Sequence, residues 1–146
     1  MPGIIVGVDG SGHSQRALVW AIHEAAIRHT PLTVLTVHQA VVGYFGDTVA
    51  TPEDLTLTEQ IQAAVTVEAD KVLAGLDGPH PESVTVKAVH GFPVEELIEA
   101  SNEADMVVLG SRGAGGFTRM LLGSTAGQVV QHAHCPVLII PPEDRG

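Results

Sequence analysis

The amino-acid sequence predicts an α/β protein, in which an open five-stranded parallel sheet carries helices on both faces. Short, continuous apolar runs rich in Val, Ile and Leu alternate along the chain with amphipathic helical patterns. Such an alternation is typical of parallel strands joined by right-handed crossover helices. The length of 146 residues suffices for one domain with a sizeable core, and no internal repeat divides it. We therefore expect residues 1–146 to form a single domain.

The first predicted strand and helix follow one another directly. Residues 3–9 (GIIVGVD) form a β-branched strand that stops at Asp-Gly. The helix that follows has Ser11 or Ser14 as its N-cap. Its apolar stripe comprises Leu18, Ala21, Ile22, Ala25 and Ala26.

The second strand and the second helix are separated by a longer connection. The strand covers residues 32–38 (LTVLTVH), and the connection QAVVGYFGDTVAT contains an aromatic pair. Its length and its aromatic pair favour a covering flap over a simple turn. The helix begins at TPED (51–54), with a threonine cap and proline at the first helical position, and runs to about Ala74.

The C-terminal half supplies the remaining three strands and two helices. The strands are SVTVKAVHG (83–91), DMVVLG (105–110) and CPVLIIP (135–141). The helices are PVEELIEASNEA (93–104), with Val94, Leu97 and Ile98 facing inward, and residues 124–132.

Charge and composition exclude several classes of function. The formal net charge is −10 and the chain has few aromatic residues, so no nucleic-acid partner is expected. No apolar stretch reaches the roughly 18 residues of a membrane span, which argues against a membrane partner. The N-terminal MPGIIVGVDG lacks the basic region of an export signal. Together with the single cysteine, Cys135, these features predict a cytoplasmic protein.

The glycine-rich segment 110–125 (GSRGAGGFTRMLLGST) is where the sequence is best suited to an anion. No Asp or Glu occurs between Met106 and Pro142, whereas Arg112 and Arg119 fall within that window. An anion is thus repelled less here than elsewhere. In open parallel sheets, ligands bind beyond the carboxyl ends of the strands, where this segment and DGSGHS (9–14) are predicted to lie.

Two familiar phosphate-binding motifs do not fit these loops. The dinucleotide pattern G-x-G-x-x-G, started at Gly10, requires a third glycine where Gln15 stands. The P-loop spacing from Gly7 to Gly12 fits, but His13 occupies the position of the phosphate-binding lysine. Neither motif is therefore assigned.

A longer spacing in the same segment is more specific. Gly110, Gly113, Gly123 and Ser124 form G-x2-G-x9-G-S, which resembles the ATP-binding motif of the universal stress protein family. The stretches IIVGVDGS, VHGFPVEELIEASNEADMVVLGSRG and VVQHAHCPVLIIP are also similar to that family, so the resemblance covers essentially the whole chain. It implies a Rossmann-like, adenine-nucleotide alpha-hydrolase-like fold with strand order 3-2-1-4-5. It also implies ATP, with Mg²⁺, as the ligand, and a homodimer formed through the C-terminal strand 136–140.

Elementary chemistry supports phosphate binding by main chain rather than by lysine clusters. A helix that starts at Ser124 presents unpaired N–H groups and the positive end of its dipole. Gly110 and Gly113 allow the backbone to approach a phosphate closely, and Gly123 lets N–H groups converge. The hydroxyls of Ser124 and Thr125 add hydrogen-bond donors.

Three further residues are predicted to contribute, each with an alternative. The resemblance implies that Asp9 contacts the nucleotide; its carboxylate suits a ribose hydroxyl or a divalent ion, or else caps its own turn. Val37 matches the family position that receives adenine, and core packing is a compatible reading. Arg112 is predicted either to bind a phosphate or to be a solvent-exposed arginine of the loop. Ala126 stands where many relatives carry Ser or Thr, and one lost hydrogen bond is worth about 0.5–1.5 kcal/mol.

The other polar residues give weaker signals. His132 and His134 form H-x-H without a neighbouring carboxylate, so no metal site is predicted there. Cys135 is interpreted as a small buried apolar residue rather than a nucleophile.

The leading functional hypothesis is an ATP-dependent regulatory switch in the stress response that acts on an unknown protein partner. The alternative is a slow ATPase or autophosphorylating enzyme that uses the same pocket, with Asp9 or His13 as its only candidate bases. A flavodoxin-like electron carrier shares the same alternation of strands and helices and is a third hypothesis.

Overall fold

A computed structural model describes residues 3–10, 12–39, 41–42, 48–49, 52–111 and 122–141 of the chain. In chain order the elements are β1 (Ile4–Val8), α1 (Gly12–Arg28), β2 (Pro31–Gln39), β3 (Val41–Val42), β4 (Thr48–Val49), α2 (Pro52–Ala74), β5 (Ser83–Gly91), α3 (Pro93–Ser101), β6 (Met106–Gly110), α4 (Ser124–His132) and β7 (Val137–Ile140).

Five of the strands form one open sheet in the order β5-β2-β1-β6-β7, and every neighbouring pair is parallel. Counted among these five strands alone, the order is 3-2-1-4-5. The predicted fold class and strand order are therefore confirmed. The predicted bounds of β5 and α4 are also those of the structure, and the remaining elements differ from the prediction by a few residues at their ends.

The connection between β2 and α2 contains two short strands that the sequence analysis did not predict. β3 and β4 pair antiparallel, with Val41 opposite Val49 and Val42 opposite Thr48. Each strand consists of β-branched residues, which favour extended backbone, but two residues are too few to give a periodic pattern. That this connection acts as a covering flap stays a prediction, since much of it lies outside the described residues.

Helices α1 and α2 cover one face of the sheet, and α3 and α4 cover the other. The predicted stripe of α1 is confirmed, because all five of its residues are buried. On the opposite face Leu97 is buried as predicted, while Val94 and Ile98 are half-buried. Because side chains alternate between faces along a strand, Ile4 and Val6 pack under α1 while Ile5 packs toward α3 and α4.

Within the part of the chain that the structure describes, no helix is both long and apolar enough to cross a membrane.

The change of direction in the sheet determines where the candidate site lies. The chain runs outward from β1 through β2 to β5, and then returns to place β6 on the other side of β1. The carboxyl ends of β1 and β6 therefore flank the topological switch point, where open α/β sheets bind their ligands.

Candidate functional site

The sheet register brings three predicted site residues to the same edge. Val8, the last residue of β1, pairs with Thr36 of β2, so Asp9 and Val37 follow side by side. Val6 pairs with Val108 of β6, and the same register continued by two residues places Gly110 beside Val8. Asp9, Val37 and Gly110 thus meet at the carboxyl ends of three neighbouring strands.

Two backbone hydrogen bonds fix the start of α4 at this edge. The N–H of Ser111 donates to the carbonyl of Ile140 at 2.9 Å, and the N–H of Gly123 donates to the carbonyl of Ser111 at 2.6 Å. Ser124 and Thr125, which begin α4, therefore lie next to the end of β6. Arg112 and Gly113 fall outside the described residues, so their predicted roles stay predictions.

Helix α4 begins at Ser124, as the sequence predicted. Its N-cap residue is Gly123, which has no side chain to cap the helix, and the first turn contains no acidic residue. The first helical hydrogen bond runs from the N–H of Gly127 to the carbonyl of Gly123 at 2.9 Å. Such an end offers backbone donors and partial positive charge to an anion.

Ser111 lies at the candidate site and was not predicted from the sequence. Its side chain is 4% exposed, and its Oγ is buried without a hydrogen-bond partner among the described residues. A buried hydroxyl without a partner costs free energy. In the sequence it stands at a variable position of the G-x2-G spacing, and its only signal is a serine directly after the last glycine of a strand.

The turn after β1 is shaped by Gly10 and Ser14. Gly10 has a φ of +83°, a left-handed conformation that glycine adopts without strain. The backbone N–H of Asp9 donates to the Oγ of buried Ser14 at 3.2 Å. Because α1 begins at Gly12, Ser14 is inside the first turn and holds the Asp9 turn instead of serving as the N-cap. The side chain of Asp9 is exposed at the edge.

A groove opens beside this turn, between α1 and α2. Its volume is about 440 Å³, and its lining includes Val8, Gly10, Ser14, Val65 and Glu68. This volume falls within the usual range for small-molecule pockets.

Val37 and Ala126 belong to the apolar cluster beneath α3 and α4. Half-buried Val37 packs against that cluster, which confirms core packing for this residue and leaves adenine contact as a prediction. Ala126 is 4% exposed and belongs to the cluster itself. Its methyl group therefore contributes to packing between α4 and the sheet, whereas the side chain of Ser124 is exposed and that of Thr125 is half-buried.

Cys135 packs against the same cluster and is half-buried. Desolvation by burial raises the pKa of its thiol; a backbone hydrogen bond with Val107 opposes this rise, and the nearby Asp105 carboxylate adds to it. The thiol therefore stays protonated near neutral pH, which agrees with an apolar packing role.

His132 and His134 are both exposed, and neither belongs to a group of three potential metal ligands within the described ranges.

A second polar cluster was not predicted from sequence. His38 lies near the carboxyl end of β2, and His90 occupies the paired position of β5. Asp54, the third member, lies in the first turn of α2. The available signal was that a Val-His pair occurs just before the last residue of both strands, so that two histidines lie together once the strands are known to be neighbours.

An open parallel sheet of this order, with helices on both faces and a helix N-terminus next to its switch point, defines a Rossmann-like α/β protein. The model of the universal stress protein family matches residues 2–141. The chain belongs to the universal stress protein family.

Individual relatives agree with this assignment. The chain is 39% identical to Universal stress protein Rv2005c of Mycobacterium tuberculosis over 146 residues, covering 97% of this chain and 48% of the relative. It thus spans about half the length of the curated relatives it matches. Among solved structures it is similar to universal stress protein UspA from Lactobacillus plantarum, with a TM-score of 0.73, 27% identity and coverage of 95% and 97% of the two chains. It is also similar to a universal stress protein in complex with cAMP, with a TM-score of 0.67, 25% identity and 96% coverage of both chains.

Proposed function

We propose that this protein binds an adenine nucleotide, with ATP as the regulatory ligand, at the carboxyl edge of β1 and β6. The observation that carries the proposal is the N-terminus of α4, which has glycine as its N-cap residue and is held beside the end of β6 by the 2.6 Å bond between Gly123 and Ser111. The similar universal stress protein solved in complex with cAMP supports the class of ligand.

In this proposal main chain and hydroxyl groups bind the phosphates. The first-turn N–H groups of α4 and the hydroxyls of Ser124 and Thr125 donate to phosphate oxygens. The buried hydroxyl of Ser111, which lacks a partner among the described residues, gains an acceptor. Gly110 and Gly113 leave room for the phosphates, and Gly123 adds to the converging backbone donors.

Asp9, Val37 and Arg112 would serve the rest of the nucleotide. The exposed carboxylate of Asp9 accepts hydrogen bonds from ribose hydroxyls or binds the Mg²⁺ that accompanies ATP. Val37 offers an apolar surface to adenine while it packs against the core. Arg112 adds positive charge near the phosphates, in a window of the sequence without acidic residues.

The regulatory role follows if the nucleotide changes which protein partner is bound. A ligand shifts such an equilibrium only by its difference in affinity for the two forms. We place this switch in the cytoplasm, where ATP is abundant, and assign it to the stress response through the family.

Calorimetry with ATP and Mg²⁺ tests the binding site directly, with GTP as the control nucleotide. We expect one ATP per chain and a higher melting temperature in its presence. Ser124→Ala removes one hydroxyl and is expected to weaken binding about 2- to 10-fold, as befits one neutral hydrogen bond. Absence of binding by ATP, AMP and cAMP alike would contradict the proposal.

A slow ATPase is the second candidate, favoured by the exposed carboxylate of Asp9 at the same edge. Release of phosphate followed over hours separates the two functions. ATP binding without release supports the switch, whereas Mg²⁺-dependent release that is lost in Asp9→Asn supports the enzyme.

The edge strand β7 is proposed to pair with a second copy of the chain. Its residues Val137–Ile140 are all apolar, and it lies at one end of the sheet order. An apolar edge strand is normally covered, and pairing across a two-fold axis would cover it. Light scattering after size exclusion should give twice the chain mass of 15.2 kDa. A mass of 15.2 kDa at all concentrations would exclude the dimer.

A further inference from the structure

Two histidines meet near the carboxyl ends of β2 and the edge strand β5. His38 of β2 pairs in register with His90 of β5, and the centroids of their rings are 5.1 Å apart. Val34 and Val86 of the same strands pack in the cluster beneath α1 and α2. Because side chains alternate, His38 and His90 face that same side.

Helix α2 brings a carboxylate to these histidines. The Nε2 of His38 and the Oδ1 of Asp54 are 3.4 Å apart. The helix is held over the edge strand, since the backbone N–H of Ala88 donates to the Oε1 of Gln62 at 3.3 Å. One potential ligand atom from each of His38, Asp54 and His90 lies within 4.8 Å of the other two.

An independent observation concerns His90. Its Nε2 is buried and has no hydrogen-bond partner among the described residues. A buried imidazole nitrogen without a partner costs free energy, and coordination of a metal ion is one way to satisfy it. A simple hydrogen-bonded pair of His38 and Asp54 would leave this nitrogen unexplained.

We propose that His38, Asp54 and His90 bind a divalent transition-metal ion, for which Zn²⁺ is the best fit. Two imidazoles and one carboxylate are a usual set of three protein ligands for zinc, with a fourth position open to water. Two ligand atoms about 2.1 Å from a tetrahedral ion lie about 3.4 Å apart, as the atoms of His38 and Asp54 already do. Mg²⁺ prefers oxygen ligands and fits this set poorly.

The ion would act as a clamp on the connection between β2 and α2. His38 precedes that connection and Asp54 follows it, and His90 adds the neighbouring strand. Binding would thus join three elements at one point. A net charge of −10 also favours the approach of a cation.

Calorimetric titration of the chelator-treated full chain with ZnCl₂, in the absence of nucleotide, tests the site. We expect one Zn²⁺ per chain and a rise in melting temperature with Zn²⁺ but not with Mg²⁺. Co²⁺ should give the visible absorption of a tetrahedral site. His38→Gln, His90→Gln and Asp54→Asn should each weaken Zn²⁺ binding at least about 10-fold.

The matched controls are His132→Gln and His134→Gln, which alter exposed histidines outside the cluster and should leave affinity unchanged. Circular dichroism checks each fold, and half-exposed Asp54→Asn provides the test if a histidine variant does not fold. Lack of Zn²⁺ binding by the wild type would overturn the proposal. Loss of binding in the control variants, with retention in the cluster variants, would overturn it as well. Because no nucleotide is present, neither result bears on ATP binding.

Discussion

Ser124→Asp is expected to lower the affinity for ATP about 100-fold while it makes the folded chain more stable. Ser124 is the exposed first residue of α4. A carboxylate there interacts favourably with the helix dipole, by about 0.3–1 kcal/mol. The same carboxylate competes with phosphates for the first-turn N–H groups of α4 and repels their charge, by about 3 kcal/mol for two unit charges about 6 Å apart near a protein surface, which corresponds to about 100-fold in affinity.

The opposite signs of the two effects make this variant informative. Calorimetry measures the affinity and thermal unfolding measures the stability, so a loss of binding cannot be attributed to a damaged fold. Ser124→Asn is the matched control, because asparagine has nearly the same shape as aspartate without the charge. The affinity of this variant for ATP should be far higher than that of the aspartate variant. Wild-type affinity in Ser124→Asp would mean that the phosphates do not lie at α4.

The fold was predictable wherever its cause is local. The stripe of α1 follows from apolar residues at helical spacing, and all of its members are buried. The predicted bounds of β5 and α4 match the structure because proline or glycine lies near their ends. The strand order could not be predicted from such local patterns, and its prediction came from the resemblance to the family. Apolar runs predict strands but do not encode which strands are neighbours.

The site was only partly predictable for the same physical reason. Its glycine spacing and the start of α4 are local features, so they were readable from the sequence. Ser111 was not, because the burial of its hydroxyl depends on the tertiary fold, in which backbone hydrogen bonds join Ser111 to Ile140 of β7 and to Gly123 before α4. His38 and His90 are far apart in the chain, and only the register between β2 and β5 brings them together.

Gly3→Ala is expected to destabilise the protein by about 3 kcal/mol, at the upper end of the usual cost of overpacking. A Cβ at this position would overlap the carbonyl oxygen of Pro31 and lie 2.9 Å from its carbonyl carbon. Both are backbone atoms at the start of β2, so no side-chain rotation relieves the contact. The carbonyl of Gly3 also accepts a 2.8 Å hydrogen bond from the N–H of Asp105, just before β6. A shift of Gly3 away from Pro31 would therefore strain the contacts of β1 with both of its neighbouring strands, β2 and β6.

Gly127→Ala provides the control because it is the same substitution in open space. Nothing lies within 4 Å of a Cβ at Gly127, and alanine is favoured over glycine inside a helix by up to about 1 kcal/mol. Thermal unfolding should thus shift downward by about 10 °C for Gly3→Ala and slightly upward for Gly127→Ala. If both variants melted at the wild-type temperature, the close approach of Gly3 to Pro31 would not be what requires glycine at the start of β1. If the melting temperature fell for Gly3→Ala alone, the requirement for glycine would be due to the backbone at the start of β2, against which β1 packs.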